Sequence, residues 1–331
     1  MRAGHPRAPP LSPELLGFVL LGVFFVAIFV GFPIAFTLIF LSLAFGYFAL
    51  GDMVFYLAVL QTLGLMKEEV LAAVPLFIFM GYLLEEGGLM ARLFRAFRLL
   101  LGPVPGSLYV AVLLTATIFG IASGTVGATV AVVGIMAVPT MVRAGYSPRL
   151  SAGAITAGGT LGILIPPSVM LVVMGPVMGV SVPELYAAAF GPGFLLSGIF
   201  IVWTIVRCLI NPRLGPPLPT AERAGSFRTL AVELTLGMVP HVVLAGVTLG
   251  PILAGLATPT EAAGVGAVGT IIMTAAYRTL SWARLKAAVI LTAQQSSLVF
   301  FLAVASNIFG AIFTRLGSAT LMTETLVGLP L

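Results

Sequence analysis

Two stretches of this chain leave polar atoms where an apolar sequence would normally hide them. In "ILIPPS", residues 163–168, Pro166 and Pro167 carry no N–H. The carbonyls of Gly162 and Ile163 therefore lose the donors that a helix supplies four residues on. In hydrocarbon, such carbonyls are tolerated only where protein, water or an ion satisfies them. A cation suits them, because carbonyl dipoles replace its hydration shell without a buried carboxylate. "FGIASGTVGATVAVVG", residues 119–134, offers the hydroxyls of Ser123 and Thr125, with Gly124 and Gly127 allowing a tight turn. Two such breaks meeting inside a membrane would form a site of neutral oxygens, better matched to Na⁺ than to a transition metal. Each stretch also has a plainer reading: a proline kink against small neighbours, or helices packed through small residues.

The other chemistry-bearing residues are few. Glu85 and Glu86 end an apolar stretch beside an arginine-rich one, where solvated ion pairing accounts for them better than a proton relay. Glu261 follows Thr258 and Pro259 in "ATPTEAAG". Helix capping explains a carboxylate there, and an ion role is the alternative. His241 sits in an apolar run and reads as a hydrogen-bonded structural histidine. No base accompanies Ser123, His5 and His241 being the two histidines, and no G-x-x-x-x-G-K-[ST] loop is present. Catalysis is not expected, and the lone Cys208 excludes an internal disulfide or a cysteine metal cage.

These residues have to be positioned by membrane helices. The chain is 60 % hydrophobic and 8 % charged, with mean hydropathy +1.16; soluble domains carry about 25 % charged residues. An all-α polytopic membrane protein follows, and the net charge of +5 is assigned to loops rather than to nucleic acid. A proline-rich tail (1–13) precedes spans at 15–31, 34–50, 72–90, 107–122, 124–141, 151–165, 168–182, 185–210, 235–256, 258–277 and 288–313. The interruptions are "GFP", "SGT", "ILIPPS" and "ATPTE". Residues 52–69 read as an interfacial helix.

If the loops around 92–98 and 143–149, the 207–228 linker and the loop at 278–286 face the cytoplasm, 12 of the 16 basic residues lie inside. Segment 107–141 then leaves the cytoplasm and returns to it. It is short for two crossings, so a re-entrant hairpin with its tip near Ser123 is expected. Two complete but short spans are the alternative.

The breaks at Pro33 and Pro259, 226 residues apart, begin a faint internal repeat, and the charge pattern gives the two halves opposite orientation. The first repeat covers 14–210, with scaffold helices 15–50, hairpin 107–141 and broken helix 151–182. A cytoplasmic linker (211–230) leads to a partial second repeat (231–331), which is expected to be truncated before its own hairpin.

"FGIASGTVGATVAVVG", "AGGTLGILIPPS" and "ATPTEAAGVGA", in this order and spacing, resemble the large membrane subunit of TRAP (tripartite ATP-independent periplasmic) transporters, DctM-like permeases of the ion transporter superfamily. The resemblance runs from about residue 15 to the end. It implies an elevator-type secondary importer of small organic acids (C4-dicarboxylate, keto-acid or sialic-acid type) in the bacterial or archaeal inner membrane. The coupling ion would be Na⁺, and no cofactor is implied. The partners would be a small four-helix membrane subunit and a periplasmic substrate-binding protein. Carried over by position, the first Na⁺ site would use Ser123, Gly162, Ile165 and Pro167. The substrate would bind beside it, near Ser123, Gly124 and Thr125 and near Gly158, Gly159 and Thr160. Family members continue through a second hairpin and a second proline break, so a truncated, non-transporting scaffold is the alternative expectation.

Overall fold

The computed structural model describes residues 12–124, 126–217 and 227–327. Among them the chain forms fourteen α-helices and no strand: α1 (Pro13–Val30), α2 (Ile34–Leu50), α3 (Met53–Met66), α4 (Ala73–Glu86), α5 (Leu89–Leu101), α6 (Ser107–Ser123), α7 (Val126–Arg143), α8 (Pro148–Leu164), α9 (Val169–Met178), α10 (Val182–Ile210), α11 (Phe227–Leu253), α12 (Pro259–Ala276), α13 (Trp282–Arg315) and α14 (Ser318–Val327). Four of these, α1, α10, α11 and α13, are long and apolar enough to cross a bilayer. α8 and α9 together reach that length but bend by 43° at their break. The protein is an all-α, multi-pass membrane protein.

Each of the four interruptions expected from glycine and proline chemistry contains a helix end among the described residues. Gly31, at φ 99°, closes α1 and donates back to Ala27 and Ile28. Gly124, at φ 60°, closes α6. The α8–α9 break occupies residues 165–168. Thr258 and Glu261 form a reciprocal capping box at the start of α12, which gives Glu261 the capping role expected of it.

The arginine-rich stretch after Glu86 differs from expectation: it is the helix α5, not a loop. Arg92, Arg95 and Arg98 recur every three residues on one face, while Leu89, Met90, Leu93, Phe94 and Phe97 are buried on the other. α5 is bent 65° from the segment that contains α4. Its acidic partner is Glu233 on α11, 4.0 Å from Arg95, and Arg92 lies over the Tyr277 ring at 5.0 Å. Glu85 and Glu86 make no ion pair among the described residues. α9 also stops at Gly179, φ 67°, short of the expected residue 182.

The helices sort into two compact units, residues 1–69 with 297–331 and residues 70–296. In the first, α1 packs on α2 and α14, and Ser318 Oγ donates to the Glu14 carbonyl at 2.9 Å. The second half of α13 meets α2 where Ala305 contacts Ala35 and Leu38. In the second unit α4 packs on α12, α5 on α11, and α6, α7, α8 and α10 gather around one another. The pairing of α2 with the end of α13 and of α1 with α14 parallels that of α12 with α4 and of α11 with α5. Shifting α2 by the 226 residues between Pro33 and Pro259 lands it on α12, and the unit boundaries after Glu69 and Ser296 are 227 residues apart.

Candidate functional site

The site lies wholly within the second unit and is built by α6, α7, α8 and α9. Its base is set by hydrogen bonds. The Tyr146 hydroxyl, in the turn between α7 and α8, sits 3.3 Å from Ser107 Oγ and accepts from the Leu108 N–H at 3.2 Å. The first turn of α6 is thereby tied to the end of α7. Burial, partly offset by the Ser107 hydrogen bond, pushes the Tyr146 phenol above its ordinary pKa, so it stays neutral. The turn after α10 closes the same end: Gly106 N–H donates to Gly215 O at 2.8 Å, Ser147 N–H to Leu214 O at 3.0 Å, and Tyr109 Oη to Leu214 O at 2.6 Å. α6 and α7 thus start and finish at one level and form a hairpin. With 17 and 18 residues, each arm is about 26 Å long.

α8 starts at that same base and runs beside the hairpin. Small residues let it approach. Gly158 faces Ala116 and Leu113 of α6, and Gly159 faces Val130 of α7. A Cβ placed on Gly120 would lie 2.8 Å from Gly162 Cα, so the two backbones are in contact there. One turn further, the hairpin tip meets the helix break. A Cβ on Gly124 would lie 3.1 Å from the Pro167 carbonyl oxygen and 3.1 Å from the Val169 nitrogen. The left-handed φ and the crowding both select glycine at 124.

At the break, Ile165 N–H makes the last helical bond, to Leu161 O at 2.9 Å. Pro166 and Pro167, joined by a cis peptide bond, offer no donor. Ile165 is fully buried and packs against Gly193 of α10. Ser168, which follows Pro167, is also fully buried, and its hydroxyl has no hydrogen-bond partner among the described residues. Buried hydroxyls are normally satisfied, and this one lies beside the donor-free carbonyl run.

The expected residues divide accordingly. Gly124, Gly162, Ile165 and Pro167 are brought together where tip meets break, and Ser123 ends α6 one residue before Gly124. Gly158 and Gly159 are buried helix-crossing positions. Thr160 is exposed, its hydroxyl donating to Ala157 O at 2.7 Å. Thr125 lies outside the described residues. His241 Nδ1 is 2.8 Å from Gly237 O, inside its own helix. Sequence reasoning missed Ser168, Gly120 and the buried Thr117–Ser197 hydroxyl pair, 2.8 Å apart, that joins α6 to α10. A serine directly after paired prolines was the available signal for the first.

Residues 21–331 match the family described as "Tripartite ATP-independent periplasmic transporter, DctM component". The chain belongs to this DctM family. Its members are transporter permeases, not enzymes. Among similar proteins, the C4-dicarboxylate TRAP transporter large permease protein DctM of Rhodobacter capsulatus is 30 % identical over 80 % of this chain and 62 % of its own length. The sialic acid TRAP transporter large permease protein SiaM of Vibrio cholerae is 30 % identical over 87 % of this chain and 66 % of its own. The ectoine TRAP transporter large permease protein TeaC of Halomonas elongata is 29 % identical over 77 % and 58 %. The match thus spans roughly three-fifths of the length of these DctM-family relatives.

Proposed function

We propose that this chain is the large permease subunit of a Na⁺-coupled, binding-protein-dependent importer of small organic acids. The observation that carries the reading is the contact of the Gly124 tip with the Pro167 carbonyl beside the orphaned Ser168 hydroxyl. Backbone carbonyls of Gly162, Ile165 and Pro167, with the oxygens of Ser123 and Ser168, supply neutral oxygen ligands, the donor set a hard monovalent cation takes. The substrate carboxylate would bind near the tip at Ser123–Thr125 and on the exposed side of α8 at Thr160. The glycines at 158 and 159 serve by letting α8 lie close to the hairpin.

The tip closes over the break when the ion is bound, and the block of α6 to α10 then carries ion and substrate together as an elevator. The C4-dicarboxylate and sialic acid named for two of the relatives support a solute of one of those types, and a keto acid is the remaining class in this proposal. A small four-helix membrane subunit and a periplasmic binding protein complete the importer, in the inner membrane, with the basic base of the hairpin in the cytoplasm.

The test is uptake into proteoliposomes holding the full permease and its small subunit, with the cognate binding protein outside. An inward Na⁺ gradient should drive accumulation that K⁺ at the same ionic strength does not. Uptake of equal rate and extent in K⁺ would overturn the coupling.

A further inference from the structure

A cavity in the same unit lies apart from the ion site. It has a volume of about 450 Å³ and lies between α6, α8 and α10. Its walls are apolar or small, with Leu113, Gly153, Ala157 and Phe200 among them, and no acidic residue lines it. Polar character is confined to one end. Arg149, on the first turn of α8, and Trp203 of α10 both line it, and Arg207 stands over the Trp203 ring at 5.6 Å. That end lies beside the hydrogen bond from Ser147 N–H to Leu214 O, so both arginines sit at the base of the hairpin. Neither Arg149 nor Arg207 has a carboxylate partner among the described residues.

Arg149, Gly153 and Ala157 follow one another at four-residue intervals and form one stripe along α8. From the first to the last it rises about 12 Å, most of the roughly 15 Å hydrocarbon depth of one leaflet. A trough that is apolar along its length and doubly cationic at the interfacial end is complementary to one kind of molecule.

We infer that this groove binds an acidic glycerophospholipid, its phosphate held by Arg149 and Arg207 and one acyl chain lying on the Gly153–Ala157 stripe against Phe200. Guanidinium forks match phosphate oxygens, and tryptophan favours the headgroup level. A zwitterionic lipid would bring its own cation toward two arginines and lose that advantage.

The experiment uses the full-length protein, purified in detergent and stripped of lipid, then given phosphatidylglycerol or phosphatidylcholine with identical acyl chains. Bound lipid is read by native mass spectrometry. Phosphatidylglycerol should be retained over phosphatidylcholine, and Arg149→Gln with Arg207→Gln should weaken its retention roughly thirtyfold, at about 1 kcal/mol per basic residue near a membrane surface. Gly153→Leu should displace the lipid without disturbing the helix crossing, because a Cβ at 153 meets nothing within 4 Å, whereas Gly153→Ala should retain it. Equal retention of the two lipids by the unaltered protein overturns the proposal. So does full phosphatidylglycerol retention in Gly153→Leu. Protection against thermal unfolding by millimolar inorganic phosphate equal to that by the lipid would reduce the feature to a simple anion site and overturn it as well.

Discussion

Adding one methyl group at Gly120 tests whether the hairpin tip and the helix break act as one ion site. The new Cβ would start 2.8 Å from Gly162 Cα and 3.1 Å from Gly162 N. Carbon atoms settle at about 3.5–4.0 Å, so α6 and α8 must part by roughly 1 Å. Backbone opposes backbone here, and no rotamer change can absorb the overlap. Gly124 N–H is bonded to Gly120 O at 3.1 Å, so the displacement is passed along one turn to the tip. Preorganised sites tolerate about 0.5 Å, and a misplacement near 1 Å costs on the order of 100-fold.

The assay is thermal unfolding in NaCl against KCl at equal ionic strength. With Na⁺ at about 100 times the unaltered Kd, binding stabilises the protein by about 2.7 kcal/mol. A Kd raised 100-fold cuts that to about 0.4 kcal/mol at the same Na⁺ concentration. Gly127→Ala is the control, because its Cβ meets nothing within 4 Å although it lies just beyond the tip. It should keep the full Na⁺ effect. A folded Gly120→Ala protein with an undiminished Na⁺ effect would refute the claim that the tip's position against the break sets ion affinity.

Ser168→Ala should act with opposite sign in the two salts. Removing an orphaned buried hydroxyl relieves a desolvation cost of about 1–3 kcal/mol, so the variant should be at least as stable in KCl, yet gain less from Na⁺. Equal destabilisation in both salts would return Ser168 to a purely structural role. Thr117→Val should lower stability by about 1–3 kcal/mol by leaving Ser197 Oγ buried without a partner. Adding Ser197→Ala should recover part of the loss, and a strictly additive double variant would show that the pair is not coupled.

The places where helices stop were legible because stopping is local chemistry. Gly31, Gly124, the Pro166–Pro167 pair and the Thr258–Glu261 box each terminate or start a helix through their own backbone or side chain. The α5 helix was misread because three arginines suggested a loop, although their spacing of three residues already described a helical face. What the sequence could not disclose depends on distance along the chain. The Gly120–Gly162 approach and the Thr117–Ser197 bond, 80 residues apart, exist only once α6, α8 and α10 are assembled. The packing role of Gly158 and Gly159 is of the same kind: a glycine beside a site and a glycine between two helices look alike in one dimension.

Where these long-range ties fall bears on how the site can move. α6 is joined to its surroundings at the base through Ser107 and Leu108, near its middle through Thr117, and near the tip through Gly120 and Gly124. Those points are spread over most of its roughly 26 Å, so no long free stretch remains in which the hairpin could bend. Two kinds of displacement stay open. The last turn, 120–124, can lift from the break, which it meets through the close approaches of Gly120 to Gly162 and of Gly124 to Pro167. Alternatively α6, α7, α8 and α10 can shift together as one body. The carrier proposed above, whose ion gates the tip and whose loaded block then moves, needs both.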